Sequence, residues 1–148
     1  MKDTNNLLEY NVWSAGEYKN NLEDIGYIPT TTQTVKTTKE YSIIGENSIH
    51  IKTIADNIGN FIIVNKQCDI NTILTGKVHV RCTSGNASLR FVNNTSGEVI
   101  SSTNISSGTL GEIIVSGTNT SLGDCRLIIR TTSKDTVLYC DNFILNLS

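Results

Sequence analysis

Apolar and polar residues alternate with a period of two along most of this chain. At 48–54, Ile49 and Ile51 fall on one side and His50 and Lys52 on the other. At 77–82, Val78, Val80 and Cys82 oppose His79 and Arg81, and at 87–93, Ala87, Leu89 and Phe91 oppose Ser88 and Arg90. A period of two marks strands with one buried and one wet face. Further strands are predicted at 6–13, 30–38 (Thr-rich), 61–64, 99–103, 111–116, 126–130 and 137–147. In 111–116, Ile113 and Val115 are expected to point inward. Turn signals separate them: Gly45-Glu46-Asn47, Thr83-Ser84-Gly85-Asn86, Asn94-Thr95-Ser96-Gly97, Ser106-Ser107-Gly108 and Ser133-Lys134-Asp135. Gly76 is expected to open the strand at 77–82. That strand and 87–93, joined through Gly85-Asn86, read as the best hairpin in the chain. Residues 14–29 read as a loop with at most one short helix, and 65–75 carries no clear element. About nine strands without a convincing helix predict an all-β sandwich or barrel, taken as one domain over 1–148.

Composition sharpens this. Asn, Ser and Thr make up about a third of the chain, and Ile and Val dominate the apolar set. β-branched residues suit strands and Asn, Ser and Gly suit turns. The net charge of −2 comes without any basic run, so nucleic acid is not an expected partner. The apolar runs are too short for a secretory h-region or a membrane-spanning helix. Acceptor-like tripeptides at Asn86, Asn93, Asn94, Asn104, Asn119 and Asn146 are close to what this composition gives by chance, so glycosylation is not read from them. Cys68, Cys82, Cys125 and Cys140 fit no CxxC spacing. They are expected as buried free thiols or as disulfides, with no pairing favoured.

Three landmarks resemble galactose-binding-like jelly rolls, the superfamily that includes carbohydrate-binding modules. They are the opening Asn6-Leu7-Leu8-Glu9-Tyr10-Asn11-Val12-Trp13, the segment Gly45-Glu46-Asn47-Ser48-Ile49-His50-Ile51, and the closing Tyr139-Cys140-Asp141-Asn142-Phe143-Ile144-Leu145. The resemblance implies a jelly-roll β-sandwich of about eight to nine antiparallel strands. It also implies a structural Ca²⁺ between the first strand and the closing Asp, held by Glu9, Glu46, Asn47 and Asp141. The alternative is that Asp141 and Asn142 only cap or bulge the last strand. The chain departs from sugar-binding members in being poor in aromatics, with Trp13 its one tryptophan.

Catalytic patterns are missing from the sequence: no G-x-S-x-G, HExxH or P-loop, and no carboxylate pair stands out. Binding is the expectation. Trp13, Tyr18 and Tyr27 cluster around the first long loop and could form a ring platform, unless Trp13 packs as core. A second candidate is one sheet face carrying His79, Arg81, Ser88 and Arg90, whose arginines could fork to hydroxyls or carboxylates of an acidic glycan; the alternative is an ordinary solvated face. The functional expectation is a non-catalytic module binding a glycan or cell-wall polysaccharide, extracellular, on a cell surface or in a virion. Its rival is a structural domain of a phage tail, virion or adhesin that packs against copies of itself or its neighbours.

Overall fold

The alternating stretches fold as strands. The computed structural model describes residues 33–41, 48–53 and 59–148. Nine strands run through them: β1 (Gln33–Thr38), β2 (Ser48–Thr53), β3 (Gly59–Cys68), β4 (Ile73–Ser84), β5 (Asn86–Asn93), β6 (Glu98–Ser106), β7 (Leu110–Thr118), β8 (Gly123–Thr131) and β9 (Val137–Leu147). They form two antiparallel sheets, ordered β1-β2-β9-β4-β7 and β3-β8-β5-β6. The sheets pack face to face as a jelly-roll β-sandwich, the class implied by the resemblance and one of the two, sandwich or barrel, that the alternation predicts. Among the described residues there is no helix. The expected strand at 6–13, the loop at 14–29 and the turn at Gly45-Glu46-Asn47 lie outside the described residues.

The core sits between the sheets. One side supplies Ile49 and Ile51 (β2), Val78 and Val80 (β4), and Leu138, Phe143 and Leu145 (β9); the other supplies Phe61, Leu89, Phe91, Ile105, Leu127 and Ile129. Burying each side chain of this size stabilises the fold by about 1.5–3 kcal/mol before entropy is counted. In β7, Val115 is buried and Ile113 packs partly buried against the core. Gly76 does not open a strand. β4 begins at Ile73 and runs through it, because a Cβ at Gly76 would stand 3.0 Å from Leu127 Cδ1 and 3.2 Å from Phe91 Cζ. A hydrogen there lets the facing sheet close down.

The expected hairpin at 77–82 and 87–93 does not form. β4 pairs with β7 and β9, whereas β5 pairs with β6 and β8, so the chain crosses from one sheet to the other at Gly85. Two alternating runs each bury one face, and stacking those faces satisfies the pattern as well as pairing edges would. A single residue between strands is also too short for a two-residue hairpin loop. Gly85 makes the crossing with φ of +78°, hard against Thr136 in the β8–β9 turn. The Asn86 amide donates to Thr136 Oγ1 at 3.3 Å, which ties the arch to that turn.

At one end of the sandwich two fully buried amides tie three loops together. Asn119 Nδ2 donates to the carbonyls of Cys68 (3.2 Å), Asp69 (2.9 Å) and Ser121 (2.6 Å). Asn93 Nδ2 donates to Asn119 Oδ1 at 3.0 Å, while Asn93 Oδ1 accepts from the Thr95 and Ser96 amides, both at 3.0 Å. Both residues lie in acceptor-like tripeptides, but neither amide is open to modification in the folded chain.

All four cysteines are buried and free. Burial pushes each thiol above its ordinary value, and Cys125 reaches about 12 because the adjoining Cys68 adds to the effect. At pH 8 the folded protein is therefore expected to resist iodoacetamide at all four thiols and to label at all four once unfolded. The raised values also fix a sign. The native state holds protons that the unfolded chain releases, so the thiol contribution is complete below pH 9.0 and is lost as pH rises toward 12. A urea midpoint that stays level from pH 9 to pH 11 would contradict this.

Candidate functional site

Period-two strands in register place their outward residues in rows across a sheet. One line of register crosses all five strands of the larger sheet, with outward residues on β2, β9, β4 and β7. Its register positions are Lys36 (β1), His50 (β2), Tyr139 (β9), Arg81 (β4) and Leu110 (β7). Tyr139 lies between core residues Leu138 and Cys140, so its ring faces outward. The His50 ring lies 5.0 Å from the Tyr139 ring, centroid to centroid.

Tyr41, just past β1, folds onto this row. Its ring meets Tyr139 edge-on at 4.7 Å, and the Arg81 guanidinium carbon stands 4.1 Å from the Tyr41 centroid. Tyr41 holds this place with φ of +55°, a conformation that bulky residues rarely adopt and that costs about 1–3 kcal/mol. Tyr139 is anchored from below. Burial, and then its hydrogen bond to the Glu40 carboxylate, raise its pKa, so the phenol stays a neutral donor. The Ser48 hydroxyl donates to the Glu40 carbonyl.

These side chains wall a cleft of ≈ 100 Å³ lined by Tyr41, His79, Val80, Arg81, Leu110, Gly111 and Tyr139. It offers one ring surface, one oriented guanidinium, an imidazole and an exposed Leu110. That combination suits a ligand with an apolar face and edge hydroxyls. Among the described residues, no carboxylate lines the cleft. His79 stands opposite Asp141 on β9 and Glu112 on β7, and its Nδ1 lies 3.4 Å from Asn142 Nδ2.

The sequence-derived candidates fall into three groups. His79 and Arg81 stand together at the cleft. Ser88 and Arg90 do not join them: they lie on β5, in the opposite sheet, so the single face imagined for all four is two faces turned away from each other. The cause is the crossing at Gly85. Trp13, Tyr18, Tyr27, Glu9, Glu46 and Asn47 lie outside the described residues. Asp141 is buried in β9, where the register passes from His79↔Asp141 to Lys77↔Ile144. Asn142 takes φ of +56° there, so the pair forms a β-bulge. Among the described residues, no three His, Cys, Asp or Glu side chains gather as a metal site.

Sequence reasoning missed Tyr41 and Tyr139. Tyr139 was detectable, since it occupies the wet phase of the 137–147 alternation. Tyr41 was not, because its place depends on a left-handed turn after β1.

No protein-family model and no curated protein sequence matches the chain. Solved structures do share its fold. The enzymatically active domain of bacteriophage CBA120 tailspike protein 4 superposes with a TM-score of 0.58 at 16% identity, over 92% of this chain and 19% of that one. The CBM22-1–GH10 modules of Clostridium thermocellum endo-1,4-β-D-xylanase 10B, complexed with xylohexaose, give 0.53 at 10% identity, over 79% of this chain and 25% of that one. The BiXyn10A CBM1 module gives 0.53 at 15% identity, over 92% and 91%. The chain thus spans a quarter or less of the first two and nearly all of the third. These likenesses, all at low identity, show a shared β-sandwich fold.

Proposed function

We propose that the chain is a single non-catalytic domain that binds a glycan or cell-wall polysaccharide across the outward face of its five-stranded sheet. The carrying observation is the Tyr41–Tyr139–Arg81 cluster, in which one ring is held edge-on to another and an arginine lies over it. A sugar ring would stack on the exposed tyrosine surface, while Arg81 and His79 hydrogen-bond its hydroxyls. An extracellular or virion setting belongs to this reading, since polysaccharide is met there. Among the described residues no helix is long and apolar enough to cross a membrane.

The test is a panel of neutral oligosaccharides and cell-wall polysaccharides titrated against the parent, Tyr139→Ala, Arg81→Ala and Trp13→Ala. The expected result is a neutral ligand whose affinity falls at least about tenfold, or about 1.4 kcal/mol, in Tyr139→Ala and in Arg81→Ala while both remain folded. A loss confined to Trp13→Ala would move the site to the opening segment. The same titration with EDTA addresses the structural Ca²⁺ proposed at Glu9, Glu46, Asn47 and Asp141. A bound ion predicts a lower melting temperature in EDTA that excess Ca²⁺ restores.

A second reading, a structural domain of a tail or virion, is favoured by the tailspike likeness over 92% of the chain. It predicts a stable oligomer by light scattering and no ligand across the panel.

A further inference from the structure

The outward face of the four-stranded sheet carries charges that the cleft on the opposite side does not use. Three arginines stand there. Arg126 is paired, its Nε 3.1 Å from Asp124 Oδ2. Arg90 and Arg130 are not: among the described residues neither makes an ion pair with a carboxylate. They occupy neighbouring strands on rungs two apart, and so on one face, with Arg130 opposite Ser88 and Arg90 opposite Ile128.

Both guanidiniums are prepared for a ligand. Arg90 Nε donates to Ser88 Oγ at 2.8 Å, which fixes the plane of the fork and leaves its terminal nitrogens for other acceptors. Arg130 Nε is enclosed and has no hydrogen-bond partner among the described residues. A buried donor left so costs free energy, so an unmet donor and a second guanidinium stand beside the Arg90 fork. The two like charges also act on each other. Burial, and then the Arg130 charge, lower the Arg90 pKa from its ordinary value. The Arg130 rung continues through Ser88 to Asn104 on β6. A depression of ≈ 440 Å³ lies alongside, with Ser88, Arg90, Asn104, Ser106 and Thr132 among its lining residues. Two arginines with a hydroxyl and an amide form a donor set fit for a planar oxyanion with hydroxylated neighbours.

We propose that Arg90 and Arg130 form a second binding site, on the face opposite the tyrosine cleft, that takes the carboxylate of a uronic-acid-bearing saccharide. One oxygen pair accepts from the Arg90 fork and from Arg130, while Ser88 and Asn104 meet the adjoining hydroxyls. The site does not depend on the tyrosine cleft and stands if the neutral panel binds nothing.

The probes are a tri-galacturonate, its methyl ester and dextran sulfate, titrated calorimetrically at low and moderate salt. The parent is expected to bind the acid at least tenfold more tightly than the ester. Arg90→Gln and Arg130→Gln should each lower that affinity at least tenfold, and Arg90→Lys should restore only part of it, because an ammonium keeps the charge and loses the fork. Arg126→Gln, whose guanidinium is already paired, should leave the affinity unchanged; circular dichroism verifies that each variant folds. Equal binding of acid and ester overturns the proposal. So does an equal loss in Arg126→Gln, which would mean general charge attraction, and so does binding of dextran sulfate without binding of the uronate.

Discussion

Gly85→Ala is expected to destabilise the protein by at least about 3 kcal/mol, enough to lower its melting temperature by roughly 6–12 °C. Two costs combine. An L-residue at φ of +78° gives up about 1–2 kcal/mol. The added Cβ would also stand 2.2 Å from Thr136 Oγ1 and 2.7 Å from Thr136 Cα, and the latter is backbone that cannot swing aside. Thr136 is itself held, since its hydroxyl donates to the Ser133 carbonyl at 2.7 Å and its own carbonyl accepts from the Thr53 amide at 3.0 Å. The clash therefore reaches β2, β5 and the β8–β9 turn together. Gly97→Ala is the internal control. Its φ of +80° is almost the same, but nothing lies within 4 Å of a Cβ there. It should cost only the conformational part, about 1–2 kcal/mol. Equal losses in the two variants, read by urea unfolding, would show that backbone strain alone acts at Gly85 and that the arch is not tightly packed.

Asn119→Ala should cost about 3 kcal/mol, nearly as much, through unmet hydrogen bonds. The substitution strips the donor from the buried carbonyl of Cys68 and the acceptor from Asn93 Nδ2. Each buried group left unpaired costs about 1–3 kcal/mol. Asn93 retains a donation to the Ser121 carbonyl at 2.8 Å, which limits the loss. Asn119→Asp should be worse than alanine, since a carboxylate brings no donor and faces three carbonyl oxygens. The measurement is the order of the urea midpoints, parent above alanine above aspartate. An aspartate variant as stable as the parent would mean that the three carbonyl contacts contribute little.

The architecture was legible where alternation was strong. β9 at Val137–Leu147 coincides with its predicted span, and β2, β5 and β8 differ from theirs by a few residues at the ends. The in-or-out assignment of Ile49, Ile51, Val78, Val80, Leu89 and Phe91 follows from the period alone. Pairing was less legible. A period of two reports that a strand has a buried face, not whether its neighbour in sequence lies beside it or across the core from it. The hairpin assigned to β4 and β5 failed on that point. Polar stretches also concealed strand. β6 extends to Ser106 with few apolar residues because it is an edge strand with most of one face in water.

The candidate site divided along the same line. His79 and Arg81 share a strand, so their common face was safe, whereas Arg90 was separated from them by a crossing that residue types do not encode. Tyr139 was readable by phase. Tyr41 became part of the cleft only through a left-handed backbone turn that no tyrosine advertises. By sequence Asp141 and Asn142 suit either a metal site or a bulge. The bulge is present, and the ligand role belongs to the proposal above.

The row from Lys36 to Leu110 has one more consequence. It runs perpendicular to the strands and steps once per strand, so it acts as a ruler. Four steps of about 4.8 Å make it about 19 Å long. Under the proposed glycan binding, a row of that length would engage several units of a polymer at once. For a saccharide lying along it, affinity should climb with each added unit until the ruler is covered and then stay level, whatever the length of the chain beyond.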